Sequence, residues 1–321
     1  MTNTDEHRCR RAHRLPEGHT DKSSVCICVH RCSFFLKIIG LLLKKFNLFS
    51  LLMLHSFIPP ARFFPYLTWQ DIEKMPNKQN VVIIQPIGAI EQHGLHLPII
   101  VDSAISVAVL GKALSKLDPD VPAYALPNIY YGKSNEHWHF PGTITLTSQT
   151  LITLLMEVGE SIYRAGFRKL VFMNSHGGQP QILELVARDL HIRYDDFCIF
   201  PLFTWRVPNV AKELLTPKEL ELGIHAGDAE TSLMLAILPE QVKMADAVTE
   251  YPLNLPTDSV LSMEGKLPFA WATKDLSQSG VMGDPTTATK EKGDRIWESL
   301  ADGWVKTIKD IYKFQQPKTT T

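Results

Sequence analysis

The stretch VVIIQPIGAIEQHGLHLPIIVD, residues 81–102, passes from an apolar run into a polar loop and then into a helix-like segment. Its first part, 81–88, is short, apolar and rich in β-branched side chains, which is typical of a strand covered on both faces. The loop carries Glu91 and His93, and the stretch closes on Asp102. Because buried carboxylates and imidazoles are costly without a partner, the stretch indicates either an ordinary exit from a strand or side chains that hold an ion.

Outward from this stretch, strand-like and helix-like segments alternate along the chain. Strands separated by helices of this length predict an α/β fold with a mostly parallel sheet and helices on both faces. The first predicted helix begins at Asp102, a residue type favoured at N-caps. We predict strands at 81–88, 121–132, 168–174 and 197–203, and helices at 102–117, 147–166, 180–194, 229–238 and 288–314.

Polar side chains follow each of the four predicted strands. In sheets of this kind the ligand crevice lies beyond the carboxyl ends of the strands. Histidine, aspartate and glutamate without cysteine are the ligand set of zinc, manganese or iron hydrolytic sites. These loops carry Glu91, His93, His96 and Asp102, then Glu136, His137, Trp138 and His139, then His176, Gly177 and Gly178, and finally His225, Asp228 and Glu230.

Each of these residues has a plain explanation when taken alone. His93 and His137 could be hydrogen-bonded loop histidines, Asp102 could cap its helix, and the glycines after His176 could be turn residues. Glu230 could favour the positive end of its helix dipole. Their coincidence at four consecutive strand ends favours a metal site.

Composition bounds the class of protein. The chain has 321 residues, 45% of them hydrophobic and 21% charged, with a net charge of -1. This is ordinary globular composition, and the near-zero charge removes the electrostatic case for a nucleic-acid partner. One cysteine in the body, Cys198, fits a reducing cytoplasm.

Residues 1–60 differ from the remainder and form a predicted leader before a domain at 61–321. An apolar run spans 33–60, but Lys37, Lys44 and Lys45 interrupt it, whereas a membrane helix needs about 20 apolar residues. We favour a disordered leader, or one translated from an upstream start codon, over weak membrane association or a secretory signal.

The body resembles the creatininase (creatinine amidohydrolase) family. The matching stretches are GAIEQHGLHLPIIVD, HFPGTITL, NSHGGQ, HAGDAETS and GVMGDPTTATKEKG, in the family's order across residues 81–293. The resemblance implies a three-layer α/β/α fold, a two-metal centre of zinc or manganese type, and hydrolysis of C–N bonds in cyclic or linear amides. Family members include creatinine hydrolases, formamidopyrimidine deformylases and peptide-trimming maturases.

The resemblance also implies roles for individual residues. Glu91, His93, Asp102 and His176 match metal ligands, with Asp102 as the bridge, and Glu230 matches a further carboxylate. The candidate catalytic residues are His225, as the acid or base that moves a proton to the departing nitrogen, together with Glu230 and His137.

One departure concerns the substrate. Creatinine hydrolases carry a carboxylate ligand two residues after the histidine that matches His176, and here that position is Gly178. The departure leaves Glu230 to supply the last ligand and argues against creatinine as the substrate.

The residues predict a metal site, and the resemblance implies a metal-dependent hydrolase of a cyclic or linear, formyl-type amide, with a small-molecule substrate and two divalent ions. Zinc is expected first, with manganese or iron as alternatives. The other hypotheses are a peptide-trimming maturase of the same family and a non-catalytic binding descendant. Tyr131 and Trp138 are expected to wall the substrate, and Gly177 and Gly178 to let backbone approach it. A homo-oligomer is expected from the family, and His96 has no assigned role.

Overall fold

The computed structural model describes residues 54–253, 255, 259–265 and 267–317. Within these residues, four strands form a single sheet. Each strand is short and apolar, as the sequence predicts for strands covered on both faces. The strands are β1 (Val82–Ile87), β2 (Ala123–Ala125), β3 (Lys169–Asn174) and β4 (Cys198–Phe203).

The sheet is parallel at every pairing that the structure describes, in the order β2-β1-β3-β4. The central strand β1 is buried along its whole length. Its neighbour β3 lies in register with it, so that Ile87 pairs with Asn174 at their common carboxyl end. The predicted parallel sheet is confirmed, and the loops that leave β1 and β3 begin side by side.

Helices cover both faces of the sheet, which confirms the three-layer α/β/α architecture. The five long helices correspond to predicted segments, whereas four helices of six residues or fewer had no counterpart in the prediction. The helices are α1 (Trp69–Lys74), α2 (Val101–Lys116), α3 (Ser148–Arg164), α4 (Pro180–Arg193), α5 (Ala211–Leu214), α6 (Pro217–Leu222), α7 (Asp228–Ile237), α8 (Thr273–Leu276) and α9 (Lys290–Lys313).

The hydrophobic core is divided by the sheet into two halves. Val82 and Ile84 of β1 pack with apolar residues of α2, α7 and α9. Ile83 and Ile87 point the other way and pack with residues of α3 and α4. Successive side chains of a strand face opposite sides of its sheet, so one strand supplies both halves of the core.

The predicted strand at 121–132 is wrong in length, because only Ala123–Ala125 is a strand. Pro127 has no backbone N–H to donate to a sheet ladder. Beyond it the chain still follows β1, since the N–H of Ile129 donates to the carbonyl of Pro86 at 3.0 Å. This segment therefore runs beside the sheet as an irregular loop on its way to residues 133–137.

Asp102 does not cap its helix. The N-cap of α2 is Ile100, which provides no side-chain cap, and Asp102 lies within the first turn. Its carboxylate is buried and turned toward His93 and His176. The favourable capping chemistry of aspartate is therefore not used here, and the side chain is available to the cluster described below.

Helix α3 has the N-cap that its sequence predicts. Thr147 accepts a hydrogen bond from the N–H of Thr150 at 3.1 Å. We expect Thr147→Ala to lower the free energy of unfolding by about 1 kcal/mol, or about 2 to 4 °C in melting temperature. Thr153→Ala on the same helix is the control, because that exposed hydroxyl bonds to Gln149 one turn earlier and to no free N–H of the helix start. Equal losses in the two variants would contradict the capping assignment.

The proposed leader lies mostly outside the described residues, at 1–53, and its nature stays a prediction. Residues 54–60 belong to the packed domain: Ile58 is buried in the core, and the ring of Phe57 packs edge-on against Trp297. Within the part of the chain that the structure describes, no helix has the length and apolar character needed to cross a membrane.

Candidate metal centre

The five predicted ligands converge at the carboxyl end of the sheet. Glu91 and His93 follow β1, His176 follows β3, and Asp102 and Glu230 come from the first turns of α2 and α7. The first four are almost fully buried, with exposures of 1% to 2%, and the Glu230 side chain is 17% exposed. Elements far apart in sequence therefore bring one set of metal-type side chains together.

One ligand group consists of Glu91, Asp102 and His176, whose ligand atoms lie within 4.8 Å of one another. The Nδ1 atom of His176 is 3.1 Å from Oε2 of Glu91 and 3.3 Å from Oδ2 of Asp102. Two carboxylate oxygens and one imidazole nitrogen at this spacing match the donor set of a zinc or manganese ion.

The second group consists of His93, Asp102 and Glu230, again within 4.8 Å. The Nε2 atom of His93 lies 3.7 Å from Oδ1 of Asp102 and 3.9 Å from Oε2 of Glu230. Asp102 thus belongs to both groups and presents a different oxygen to each. A carboxylate placed in this way can bridge two cations.

Two buried polar atoms in the cluster are left without a hydrogen-bond partner among the described residues. They are Nε2 of His93 and Oδ2 of Asp102. The Nδ1 atom of His93 lies 3.1 Å from the carbonyl of Glu91, which favours a proton on Nδ1 and leaves the Nε2 lone pair free. Such orphaned atoms are costly, and one cation in each ligand group would satisfy them: Nε2 of His93 in one group and Oδ2 of Asp102 in the other.

The electrostatics of the cluster also favour bound cations. Although burial opposes charge on His93, the nearby Asp102, Glu230 and Glu91 raise the pKa of His93 to about 9. Glu91, Asp102 and Glu136, again against burial, raise the pKa of His176 well above its usual value. Burial raises the pKa of Glu230 to about 7, with His93 opposing. The carboxylates of the cluster therefore favour positive charge beside them.

Two further histidines, His137 and His225, stand beside the ligand groups. The ring of His225 lies 4.2 Å from the rings of both His93 and His137, measured between centroids. Burial lowers the pKa of both His137 and His225, so these two imidazoles are neutral. Nε2 of His225 donates to the carbonyl of Gln92 at 2.7 Å, which leaves its Nδ1 lone pair 3.9 Å from Oε1 of Glu91.

The sequence of this chain matches a known family model over residues 65–308, described as creatinine amidohydrolase. The chain belongs to the creatininase family. It is 32% identical over 230 residues to the mycofactocin precursor peptide peptidase of Mycolicibacterium smegmatis, covering 71% of this chain and 84% of that protein. It is 30% identical over 260 residues to the creatinine amidohydrolase of Pseudomonas putida, covering 77% and 95%.

Solved creatininase structures share the fold. A manganese form superposes with a TM-score of 0.64 at 28% identity, covering 78% of this chain and 99% of that one. A mutant creatininase of Zn-Zn type gives a TM-score of 0.63 at 28% identity, covering 78% and 98%. The predicted family and fold are therefore both confirmed.

Two predicted substrate contacts of this creatininase-family chain lie at the surface. The side chains of Tyr131 and Trp138 are 49% and 65% exposed, and the indole N–H of Trp138 donates to His139. Gly177 and Gly178 follow His176 directly, and Gly178 lies against both His176 and Glu136. Their roles toward a substrate stay predictions.

His96, to which the sequence assigned no role, connects the loop after β1 to helix α7. Its Nε2 atom lies 2.8 Å from the hydroxyl of Thr231, the residue after Glu230 on α7. Burial and His93 lower the pKa of His96 to about 4, so its ring is neutral. This contact ties the loop after β1 to the helix that carries Glu230.

Three residues next to the cluster were assigned no role from the sequence, although Glu136 was among the polar residues noted after the second predicted strand. The hydroxyl of Ser134 donates to Oε2 of Glu91. The amide nitrogen of Gln92 lies 2.8 Å from Nδ1 of His137 and 3.1 Å from Nε2 of His225. Glu136 lies beside His176, and His176 brings the pKa of Glu136 down to about 2 in spite of burial. The available signal was their location, since all three sit within the strand-end loops.

The loop before α7 is held by a separate buried network. Asp228 points away from the ligand groups and accepts from Ser232, Thr287 and Lys292. Glu219 accepts from the backbone N–H of Asp228 at 2.8 Å. These contacts fix the start of the helix on which Glu230 sits.

Glu230 itself is oriented by a strained residue. Ala226 adopts a left-handed backbone with φ of 53°, which is unfavourable for a residue with a side chain. Its N–H donates to Oε2 of Glu230 at 2.6 Å. The strained turn therefore holds the carboxylate next to His93.

Proposed function

We propose that this protein is a metal-dependent amidohydrolase that cleaves the C–N bond of a cyclic or formyl-type amide. The observation that carries the proposal is the placement of Asp102. Its two oxygens face two separate groups of ligands, one with His176 and the other with His93. This is the arrangement expected of a bridging carboxylate in a binuclear centre.

The residues fit two divalent ions. Glu91, Asp102 and His176 would hold one, and His93, Asp102 and Glu230 the other. Three carboxylates and two imidazoles suit zinc best, with manganese or iron as alternatives. The zinc and manganese creatininases named above support divalent ions here as well. When bound, such ions polarise an amide carbonyl and make a water acidic enough to react near neutral pH.

The candidates for general acid–base catalysis are side chains in and beside the ligand groups. Because Nε2 of His225 donates to the carbonyl of Gln92, its Nδ1 lone pair can accept a proton and return it to the departing nitrogen. Glu230, assigned above as a ligand, is the second candidate for this role. The ring of His137 lies beside that of His225 at a tilt of 31°. Thr273 contacts its Nδ1, and its Nε2 lies 3.6 Å from Oε1 of Glu91.

A peptide substrate is the second candidate. It is favoured by the 32% identity to a precursor peptide peptidase and by glycine at position 178, where creatinine hydrolases are expected to carry a carboxylate. Exposed Tyr131 and Trp138 can wall either kind of substrate. A panel of formamides, lactams and short peptides, tested with the metal-loaded protein, separates the two: turnover of only the peptides would favour the peptidase.

Removal of metal tests the proposal. We expect dialysis against a chelator to abolish hydrolysis and to lower the melting temperature, because ligand at 100 times its Kd stabilises the folded state by about 2.7 kcal/mol per site. Zinc or manganese should restore both properties. Hydrolysis that persists in protein shown to be metal-free would contradict the proposal. Metal binding without turnover of any amide would instead favour the non-catalytic alternative.

The cytoplasmic location and the homo-oligomeric state stay predictions. Size-exclusion chromatography with light scattering measures the second of them directly, and a monomer would contradict it.

A further inference from the structure

Glu136 is a carboxylate of the cluster that belongs to neither ligand group around Asp102. Its side chain is 12% exposed, and Oε1 lies 3.3 Å from Nε2 of His176. Its other oxygen, Oε2, lies 3.6 Å from the ammonium of Lys133. His176 therefore stands between two carboxylates, with Nδ1 facing Asp102 at 3.3 Å and Nε2 facing Glu136 at the same distance.

The surroundings of Nε2 determine which nitrogen of His176 carries the proton. The carbonyl of Lys133 lies 2.9 Å from Nε2, so both neighbours of this atom, the carbonyl and the Glu136 carboxylate, are acceptors. Both therefore favour a proton on Nε2. In the neutral ring that proton leaves the lone pair on Nδ1, the atom that faces Glu91 and Asp102.

The backbone beside His176 leaves room for this contact. A Cβ built on Gly178 would overlap Oε1 of Glu136 and would lie 2.6 Å from Nε2 of His176. Gly178 does not adopt a left-handed backbone, so the glycine is required by space and not by conformation. A side chain at position 178 and the carboxylate of Glu136 cannot occupy this volume together.

We propose that Glu136 is the positioning residue that holds His176 with Nδ1 turned to the metal centre, and that Gly178 is present to admit it. The proposal rests on the proposed function, because it assigns His176 as a metal ligand. In metal sites an acceptor on the far nitrogen of a ligating histidine fixes its tautomer and orientation, and loss of that acceptor costs about 10- to 100-fold in metal affinity.

Competition with a chromogenic chelator measures the two zinc dissociation constants of the wild type and its variants. We expect Glu136→Ala to raise one of the two constants by about 10- to 100-fold and to leave the other within about threefold. The selective loss is expected because only one ligand group contains His176. Glu136→Gln should recover part of the affinity, since its amide oxygen can still accept from Nε2. A general loosening of the fold would weaken both sites.

Glu264→Ala is the matched control. This exposed carboxylate lies near Gly177, so the variant removes a nearby negative charge without touching Nε2 of His176, and both constants should remain at wild-type values. The inference would be overturned if both zinc dissociation constants of Glu136→Ala equalled those of the wild type. It would also be overturned if Glu264→Ala lost as much zinc affinity as Glu136→Ala. A wild type that binds no zinc would instead overturn the proposed function.

Discussion

Asp102→Ala is expected to retain less than one ion per chain and to lose amide hydrolysis by at least about 10³-fold, since a metal ion contributes several kcal/mol to such reactions and each 1.36 kcal/mol is tenfold in rate. The reason is that one carboxylate serves both ligand groups, through Oδ1 toward His93 and Oδ2 toward His176. Metal content by mass spectrometry and initial rates on the best amide of the panel measure the two effects.

Asp102→Asn keeps the shape of the side chain and therefore separates loss of charge from loss of packing. It should lose metal nearly as severely as the alanine variant while melting as a folded protein. Asp196→Asn, an exposed aspartate paired with Arg168, is the control and should keep both metal and activity. Hydrolysis that survives Asp102→Asn with normal metal content would refute the bridging assignment.

Gly293→Ala is expected to destabilise the domain more than any other single methyl addition proposed for it. Gly293 lies in the first turn of α9, where a Cβ would overlap the carbonyl oxygen of Ser232 and lie 3.1 Å from Cβ of Ala236 on α7. Overpacking of this kind costs about 1 to 3 kcal/mol, beyond the roughly 1 kcal/mol that alanine gains over glycine in a helix. Thermal and urea unfolding measure the loss.

The same substitution should also disturb the site, because α7 carries Glu230. Gly159→Ala on α3 is the matched control: the three atoms nearest to its new Cβ all belong to the side chain of Leu190, which can shift more easily than a backbone carbonyl. The control should therefore be less destabilising and should leave metal affinity unchanged. Equal losses of stability in the two variants would contradict the close approach of α7 and α9.

Much of the fold could be predicted because it depends on local patterns. The continuous apolar run of β1 and the helical periodicity and N-cap of α3 are visible in the sequence, and the structure confirms both. The ligand set was visible for a related reason. Parallel strands end at one edge of a sheet, so polar residues after β1 and β3 had to meet there.

What failed depended on contacts between distant segments. The strand predicted at 121–132 ends early because Pro127 interrupts it, although its apolar pattern continues. The position of Asp102 in the sequence predicts a helix cap. In the structure its carboxylate faces His93 and His176, which lie in two other loops. The position of Asp102 in the sequence could not show that its side chain contacts these histidines instead of the helix N-terminus.

Glu136 illustrates the same limit within the site. It lies next to His137 in sequence, but its partner is His176, and the space it fills is left open by Gly178. Besides its location in a strand-end loop, the signal in the sequence was the glycine at position 178, which leaves space for a carboxylate from another loop. Spacing along the chain does not say which loop supplies it.

The most direct test of the binuclear centre is an anomalous difference map at the zinc absorption edge from crystals of the zinc-loaded protein. We predict two peaks per chain, one beside Glu91 and His176 and the other beside His93 and Glu230, with Asp102 in contact with both. A single peak, or peaks remote from Asp102, would contradict the account.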